Sequence, residues 1–303
     1  MAKFKKIDLK IKANIDEKDK PARVEYADKE HVKLRVDCRA KFTKLSGEAS
    51  IIFDDGSSKE CDIHWQWEGK QRGVGKSPTS LPILSNESTQ EITVLATVWY
   101  DKVSKKASFD VKQHCSLKED KPEADSDVDL LARVVHAEAA FLSEEEKAAV
   151  AWTVVNRRKL IQLAMGEGRR FLIRSFGQPS IFAIISHVAR NSDGAGQVQY
   201  QSYWDKSRNW KALDRIDDPK EPLSCKECSG LNESIKVAIS VLKGRMTDPF
   251  LGQGGAYFMH LSPNGVASAN HKWIKKLPSK KEFTHYFWTF DYKALCNLEK
   301  WDM

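Results

Sequence analysis

LARVVHAEAAFLSEEEKAAVAWTVVNRR, Leu131 to Arg158, decides how the second half of the chain is read. Apolar residues recur at helical spacing on both sides of Ser143, so the stretch predicts two helices joined by a short turn. The first is expected from about Val128 to Phe141, capped by Asp127 or Ser126. Ser143, with Glu146 three residues later, has the form of a capping box and opens the second helix. Glu144, Glu145 and Glu146 are then explained as a helix start, favoured by its positive end. Glu138 is not explained that way. Leu131, Val134, Val135, Phe141 and Leu142 lie at −7, −4, −3, +3 and +4 from it, on the same helix face. A carboxyl among them is partly desolvated, and desolvation favours the protonated acid. That is the form a general acid for glycosidic cleavage requires. The structural alternative is an ion pair with Arg133 or Arg157.

Upstream, Ser116 to Asp129 (SLKEDKPEADSDVD) is polar and contains a proline, which marks a linker. Three parts are expected: residues 1–117, a linker at 118–126, and residues 127–303. The first part alternates apolar and polar residues in HVKLRVDCRAKF (31–42), EASIIFDD (48–55), KECDIHWQWEG (59–69), EITVLATVWY (91–100) and KASFDVKQHC (106–115). Five to seven short strands of this kind predict an all-β, antiparallel sandwich-like domain. The part after the linker is expected to be mainly α, with a small β element. Helices are predicted at Ser180–Arg190 and at Asn232–Gly244, and short strands at AYFMH (256–260) and HYFWTF (285–290).

Composition narrows the function. The 303 residues carry a net charge of +7, with both signs mixed along the chain and no Lys/Arg block, so no nucleic-acid arm is expected. The mild excess suits an anionic polymer without choosing among them. The N-terminus is basic but has no apolar h-region, so synthesis in the cytoplasm without a signal peptide is expected. No apolar run is long enough to predict a membrane span. Nine tryptophans offer surfaces for stacking sugars as well as core volume. Six cysteines are read as too few and too scattered for a disulfide framework, and Cys38, Cys61 and Cys115 as buried thiols. No metal and no cofactor are expected. His260, His271 and His285 lack ligand spacing, and Gly252, Gly254 and Gly255 form a turn that no Gly-Lys-Ser/Thr follows.

Two motifs compete for Glu138. His136-Ala137-Glu138 with Cys225-Lys226-Glu227-Cys228 has the outline of a zinc deaminase. However, Ser224 stands where that motif has proline, and His136 is in mid-helix rather than at a helix start. The better match is a family. LLARVVHAEA and KAAVAWTVVNRR, with Glu138 and Asn156-Arg157 eighteen residues apart, resemble the SleB-type cell-wall hydrolases, the spore cortex-lytic enzymes. Further pieces follow in the family's order. They are SIFAIISH with the aromatic stretch at Gln199–Trp204, ISVLKGRMTDPFLGQGGAYFMH, and HYFWTF. The likeness spans about Asp127 to Phe290. Where the family has a second acidic residue four positions after its glutamate, this chain has Leu142.

That resemblance implies a lysozyme-like α+β fold and cleavage of the β-1,4 bond between MurNAc and GlcNAc in peptidoglycan glycan strands. It implies Glu138 as catalytic acid, and the missing second acid favours a lytic transglycosylase over a hydrolytic muramidase. Asp193, Asp205 and Asp248 remain candidates for a hydrolytic partner. Tyr200, Gln201, Tyr203, Trp204, Tyr257, His260 and His285 are the candidate substrate-binding residues. A wall-cleaving domain joined to a β-domain suggests an antibacterial effector acting in the periplasm or cell wall of a target cell. It would be delivered by type VI secretion through its N-terminal domain, with a cognate immunity protein. The alternatives are a phage-type endolysin and a non-catalytic wall-binding protein.

Overall fold

The computed structural model describes residues 2–16, 23–27, 31–38, 40–84, 91–166, 178–190, 196–198, 200–216, 218, 220–261 and 274–290. The chain forms two compact units. The first comprises Met1–Ser116 with Ile216–Cys228, and the second Leu117–Arg215 with Ser229–Met303. Residues 216–228, which sequence reading left in the C-terminal domain, therefore belong with the β-strands.

The first unit has nine strands: β1 (Phe4–Asp16), β2 (Arg23–Ala27), β3 (Val32–Asp37), β4 (Lys41–Phe53), β5 (Ser58–Glu60), β6 (His64–Trp67), β7 (Lys70–Val74), β8 (Glu91–Tyr100) and β9 (Val103–His114). They form one sheet in the order β2-β1-β4-β5 and another in the order β3-β9-β8-β6-β7. Period-two alternation gives each sheet one apolar face. Ile7, Leu9, Ile11, Ala13 and Ile15 of β1 join Phe42, Trp65, Val94, Val98, Phe109 and Val111 in one shared core. The expectation of a wholly antiparallel arrangement is corrected at one place. β3 runs parallel to β9, with Val32 opposite Phe109 and Asp37 opposite His114. The run 31–42 is also two strands, not one. It breaks at Cys38, where the Ala40 amide bonds the Asp37 carbonyl at 2.9 Å.

Two disulfides overturn the reading of the cysteines as thiols. Cys38 is bonded to Cys225, and Cys115 to Cys228. Cys61 is free and half-buried. Neither sequence separation, 187 and 113 residues, could be seen as a pair without the fold.

The second unit contains α1 (Asp127–Ala139), α2 (Glu144–Gly166), α3 (Ile181–Ser186), β10 (Val188–Arg190), β11 (Gly196–Val198), α4 (Gln201–Trp204), most of α5 (Cys225–Leu242), β12 (Phe258–His260), β13 (Ile274–Lys276) and β14 (Tyr286–Phe290). β10 pairs with β11, and β12 and β13 flank β14. The expectation of a lysozyme-like, mainly α C-terminal part is contradicted. The described residues are about 30% helical and 34% strand, a mixed, β-rich fold. Part of the reason is local. The segment predicted as one helix from Ser180 to Arg190 leaves the helical region at His187 and continues as β10. Its two β-branched isoleucines before Ser186 weaken helix continuation. Conversely, α5 begins at Cys225, seven residues before the predicted start at Asn232.

α1 is capped by Ser126, whose Oγ accepts the Asp129 amide at 3.1 Å. It ends at Ala139, two residues earlier than expected, so Phe141 is exposed rather than packed beside Glu138. Arg133 fixes α1 to the segment holding Trp210 and Asp214. Its Nε donates to both oxygens of buried Asp129 at 3.0 Å, and Nη1 to the Trp210 carbonyl at 3.0 Å. Nη1 and Nη2 also reach Asp214 at 2.9 and 2.6 Å.

Candidate functional site

Glu138 sits in the last turn of α1, and its carboxyl is half-buried. Ser202 of α4 donates its hydroxyl to Glu138 Oε1 at 2.7 Å. Neither suggested arginine partner is used: Arg133 goes to Asp129 and Asp214, and Arg157 Nε donates to the Tyr257 carbonyl at 2.5 Å. Among the described residues Glu138 makes no ion pair. It is a carboxyl held by one hydroxyl, with solvent still able to reach it.

The turn that brings Ser202 to Glu138 also brings aromatic rings. Tyr203 stands edge-on to Trp204 and to Trp210, with centroids 5.3 Å apart in each case, and edge-on to Phe182 of α3 at 6.2 Å. Lys206 Nζ lies 3.8 Å from the Tyr203 ring centroid. Phe182 and Trp204 are 51% and 46% exposed, which leaves two apolar ring surfaces open on these elements. Exposed aromatic faces around a few polar groups are what a sugar-binding surface needs. Tyr203 and Trp204 are among the residues the sequence offers for substrate; Ser202 and Phe182 are not, and nothing in the sequence aims the Ser202 hydroxyl at a residue 64 positions away.

The other candidates divide. Gln201 is exposed and donates to Asp205 Oδ1 at 2.6 Å. Tyr200 is 2% exposed, and its hydroxyl lies 3.0 Å from Thr153 Oγ1 while Arg157 stacks over its ring. It is a core residue of the second unit. Tyr257 is buried, serves Arg157 through its carbonyl and packs edge-on to Phe290. His260 is exposed on β12. His285 is buried against Glu146, whose Oε1 accepts the Thr284 amide at 2.9 Å and the His285 amide at 2.8 Å. His285 Nδ1 lies 2.8 Å from that same oxygen. Tyr200, Tyr257 and His285 are thus buried, with these bonds made inside the fold.

Asn156 is bonded inside the fold as well. Its Nδ2 donates to Asp248 Oδ2 at 2.7 Å and to the Ala256 carbonyl at 2.9 Å. Asp248 also accepts the amides of Phe250 and Ala256, so it is committed to the turn. A Cβ on Gly255, which has φ +81°, would come within 2.9 Å of Asn156 Nδ2. The Asn-Arg pair thus clamps the glycine turn onto the middle of α2. Of the three aspartates considered for hydrolysis, Asp248 is occupied, Asp205 is exposed and Asp193 lies outside the described residues. Gln199 and His271 lie outside them too.

The deaminase ligand set is not assembled, because Cys225 and Cys228 are each committed to a disulfide. Among the described residues, no group of three or more His, Cys, Asp or Glu side chains is placed to hold a metal. An open pocket of about 380 Å³ lies in the first unit, lined by Gln66, Trp67, Glu68, Glu91 and Thr93 among others. It contains none of the predicted site residues. Compared with protein-family models, curated proteins and solved structures, the chain matches none.

Proposed function

We propose that the second unit cleaves the glycan strands of peptidoglycan, with Glu138 as its single catalytic carboxyl. The observation that carries this is the setting of Glu138. It is half-buried on an otherwise apolar helix face and bonded by no cation among the described residues; its one partner, Ser202, lies on α4, which also carries the open Trp204 ring. The ordered sequence likeness to the SleB-type hydrolases supports the same substrate at the level of residues; the fold lends it no support.

One carboxyl suffices for a lytic transglycosylase. Protonated Glu138 gives its proton to the bridging oxygen as the bond from C1 of MurNAc to that oxygen breaks. The resulting carboxylate takes the proton of the MurNAc 6-hydroxyl as O6 bonds to C1. The products are a 1,6-anhydro end and a free GlcNAc 4-hydroxyl, and Glu138 is protonated again. Ser202 would orient the carboxyl through both transfers, and Tyr203, Trp204 and Phe182 would stack sugar rings.

The two disulfides support action outside a reducing cytosol, since such bonds form and persist in oxidising compartments. An antibacterial effector of the type VI kind, with the β-unit as its loading module and a cognate immunity protein, fits that destination; a phage-type endolysin is the competing use. Purified protein and Glu138→Gln incubated with sacculi, with muropeptides read by mass spectrometry, test the chemistry. Anhydro-ended products lost in the variant are expected. Reducing ends instead would make it a muramidase, and no product from the wild type would leave only wall binding. Expression directed to the periplasm is expected to lyse cells, whereas cytoplasmic expression is not.

A further inference from the structure

The first unit holds four cysteines that glycan cleavage does not use. β3 and β9 run parallel and their last paired residues are Asp37 and His114, so Cys38 and Cys115 follow side by side. The Gln113 amide donates to the Cys38 carbonyl at 3.2 Å and ties these two strand ends together. Cys225 and Cys228 occupy the first turn of α5, three residues apart and therefore on one face. That turn is built to stand on its own. Ser224 Oγ accepts the Glu227 amide at 3.1 Å, and Glu227 Oε2 accepts the Ser224 amide at 2.8 Å, a complete capping box. Each helix cysteine meets one strand-end cysteine, with Cα separations of 5.1 and 5.4 Å, inside the span a disulfide bridges. The helix cysteines are bonded across to the strands and not to each other.

We propose that these four cysteines are a thiol–disulfide exchange site that latches residues 220–228 to the β-sandwich. The latch is open while the chain is reduced and closes when it meets an oxidised disulfide reagent, protein or small molecule. In each closure two cysteine thiols lose two electrons and two protons and form one S–S bond. The reagent's own S–S bond breaks, and it leaves as two thiols. Two closures complete the latch. The start of α5 suits the attacking sulfur, because the positive end of a helix favours the thiolate. The chain can then be made and held in a reducing compartment with this segment unfastened, and locks after transfer. This inference does not depend on what the second unit cleaves.

The test is hydrogen exchange, read by mass spectrometry on the full chain in three states: oxidised, reduced with a phosphine, and reoxidised with oxidised glutathione. Non-reducing peptide maps give the pairings. Cross-links 38–225 and 115–228 are expected in the first and third states. On reduction the amides of Leu223–Cys228 should exchange about tenfold faster or more, while those of β1, β4, β8 and β9 keep their protection. Reoxidation should restore both. Cys225→Ser/Cys228→Ser and Cys38→Ser/Cys115→Ser should each show the fast rate in every state, which separates loss of the bonds from damage to one element. Four results would overturn the latch. These are an unchanged rate on reduction, 225–228 and 38–115 as the recovered pairs, loss of protection throughout the strands, or a chelator-sensitive zinc ion protecting the segment in the reduced chain.

Discussion

Glu138 and Glu146 lie eight residues apart on neighbouring helices, and their surroundings are opposite. Glu146 is 1% exposed, and its Oε1 meets the Thr284 amide, the His285 amide and the His285 ring. Glu138 is half-buried and has one hydroxyl partner. A buried carboxylate must be satisfied by several donors or not be there, and Glu146 obeys that rule. Glu138 leaves capacity unspent at a surface that small molecules can reach. The sequence pattern explains Glu146 as a helix start; in the fold it is buried and also anchors the loop entering β14.

The largest expected difference is in activity. A positioned general acid contributes about 10²- to 10⁴-fold, so Glu138→Gln should lower glycan release from sacculi by that order while leaving the thermal midpoint nearly unchanged. Glu146→Ala should do the reverse to stability. Removing it strands the Thr284 and His285 donors in a buried setting, at a cost of about 3 kcal/mol or more. Denaturant unfolding of the two variants separates the roles. If Glu138→Gln were the more destabilised, Glu138 would be the structural carboxyl and the comparison would invert.

What could be read from sequence follows from how local the cause is. The α1–α2 pair was legible because periodicity and the Ser126 and Ser143 caps are properties of adjacent residues. β1 is equally legible in principle, since Ile7, Leu9, Ile11, Ala13 and Ile15 alternate without a break. The capping box at Ser143 shows the limit. Ser143 Oγ accepts the Glu146 amide at 3.2 Å as expected, yet the glutamate side chain does not return the bond. It turns to residues 138 and 139 positions away. The same S-x-x-E pattern at Ser224 closes in both directions. The disulfides, the parallel β3–β9 pair and Ser202 depend on contacts between distant residues, which no short window contains.

A smaller effect is expected at Ser202. Its hydroxyl donates to Glu138, so Ser202→Ala should lower the catalytic rate by about tenfold, the worth of one hydrogen bond of about 1.4 kcal/mol. Substrate affinity, carried by the aromatic rings, should stay within about twofold in a sacculus-binding assay. Loss of binding instead of rate would make Ser202 a substrate contact rather than a holder of the carboxyl.

The smallest effect concerns a third carboxylate tied to α1, the exposed Asp214. Hydrogen bonds from Arg133 hold its carboxyl below the ordinary value of 3.8, against an opposing push from partial burial, and the charges of Arg133, Lys121 and Lys206 add to the lowering. A depressed folded-state value means that the stabilisation is present above the unfolded value. It is lost as pH falls below about 4 and through the folded value. Asp214→Asn should therefore be less stable than wild type at pH 7, and the gap should close by about pH 2. Because the Asp214 side chain is 60% exposed, solvent screens the pair and the gap should be under about 1 kcal/mol. Guanidinium unfolding at the two pH values measures it. A gap that persists at pH 2 would mean that Asp214 holds Arg133 by shape and hydrogen bonding alone. An exposed carboxylate would then behave like the buried Glu146 and unlike Glu138, and exposure would no longer be the property that sorts the three.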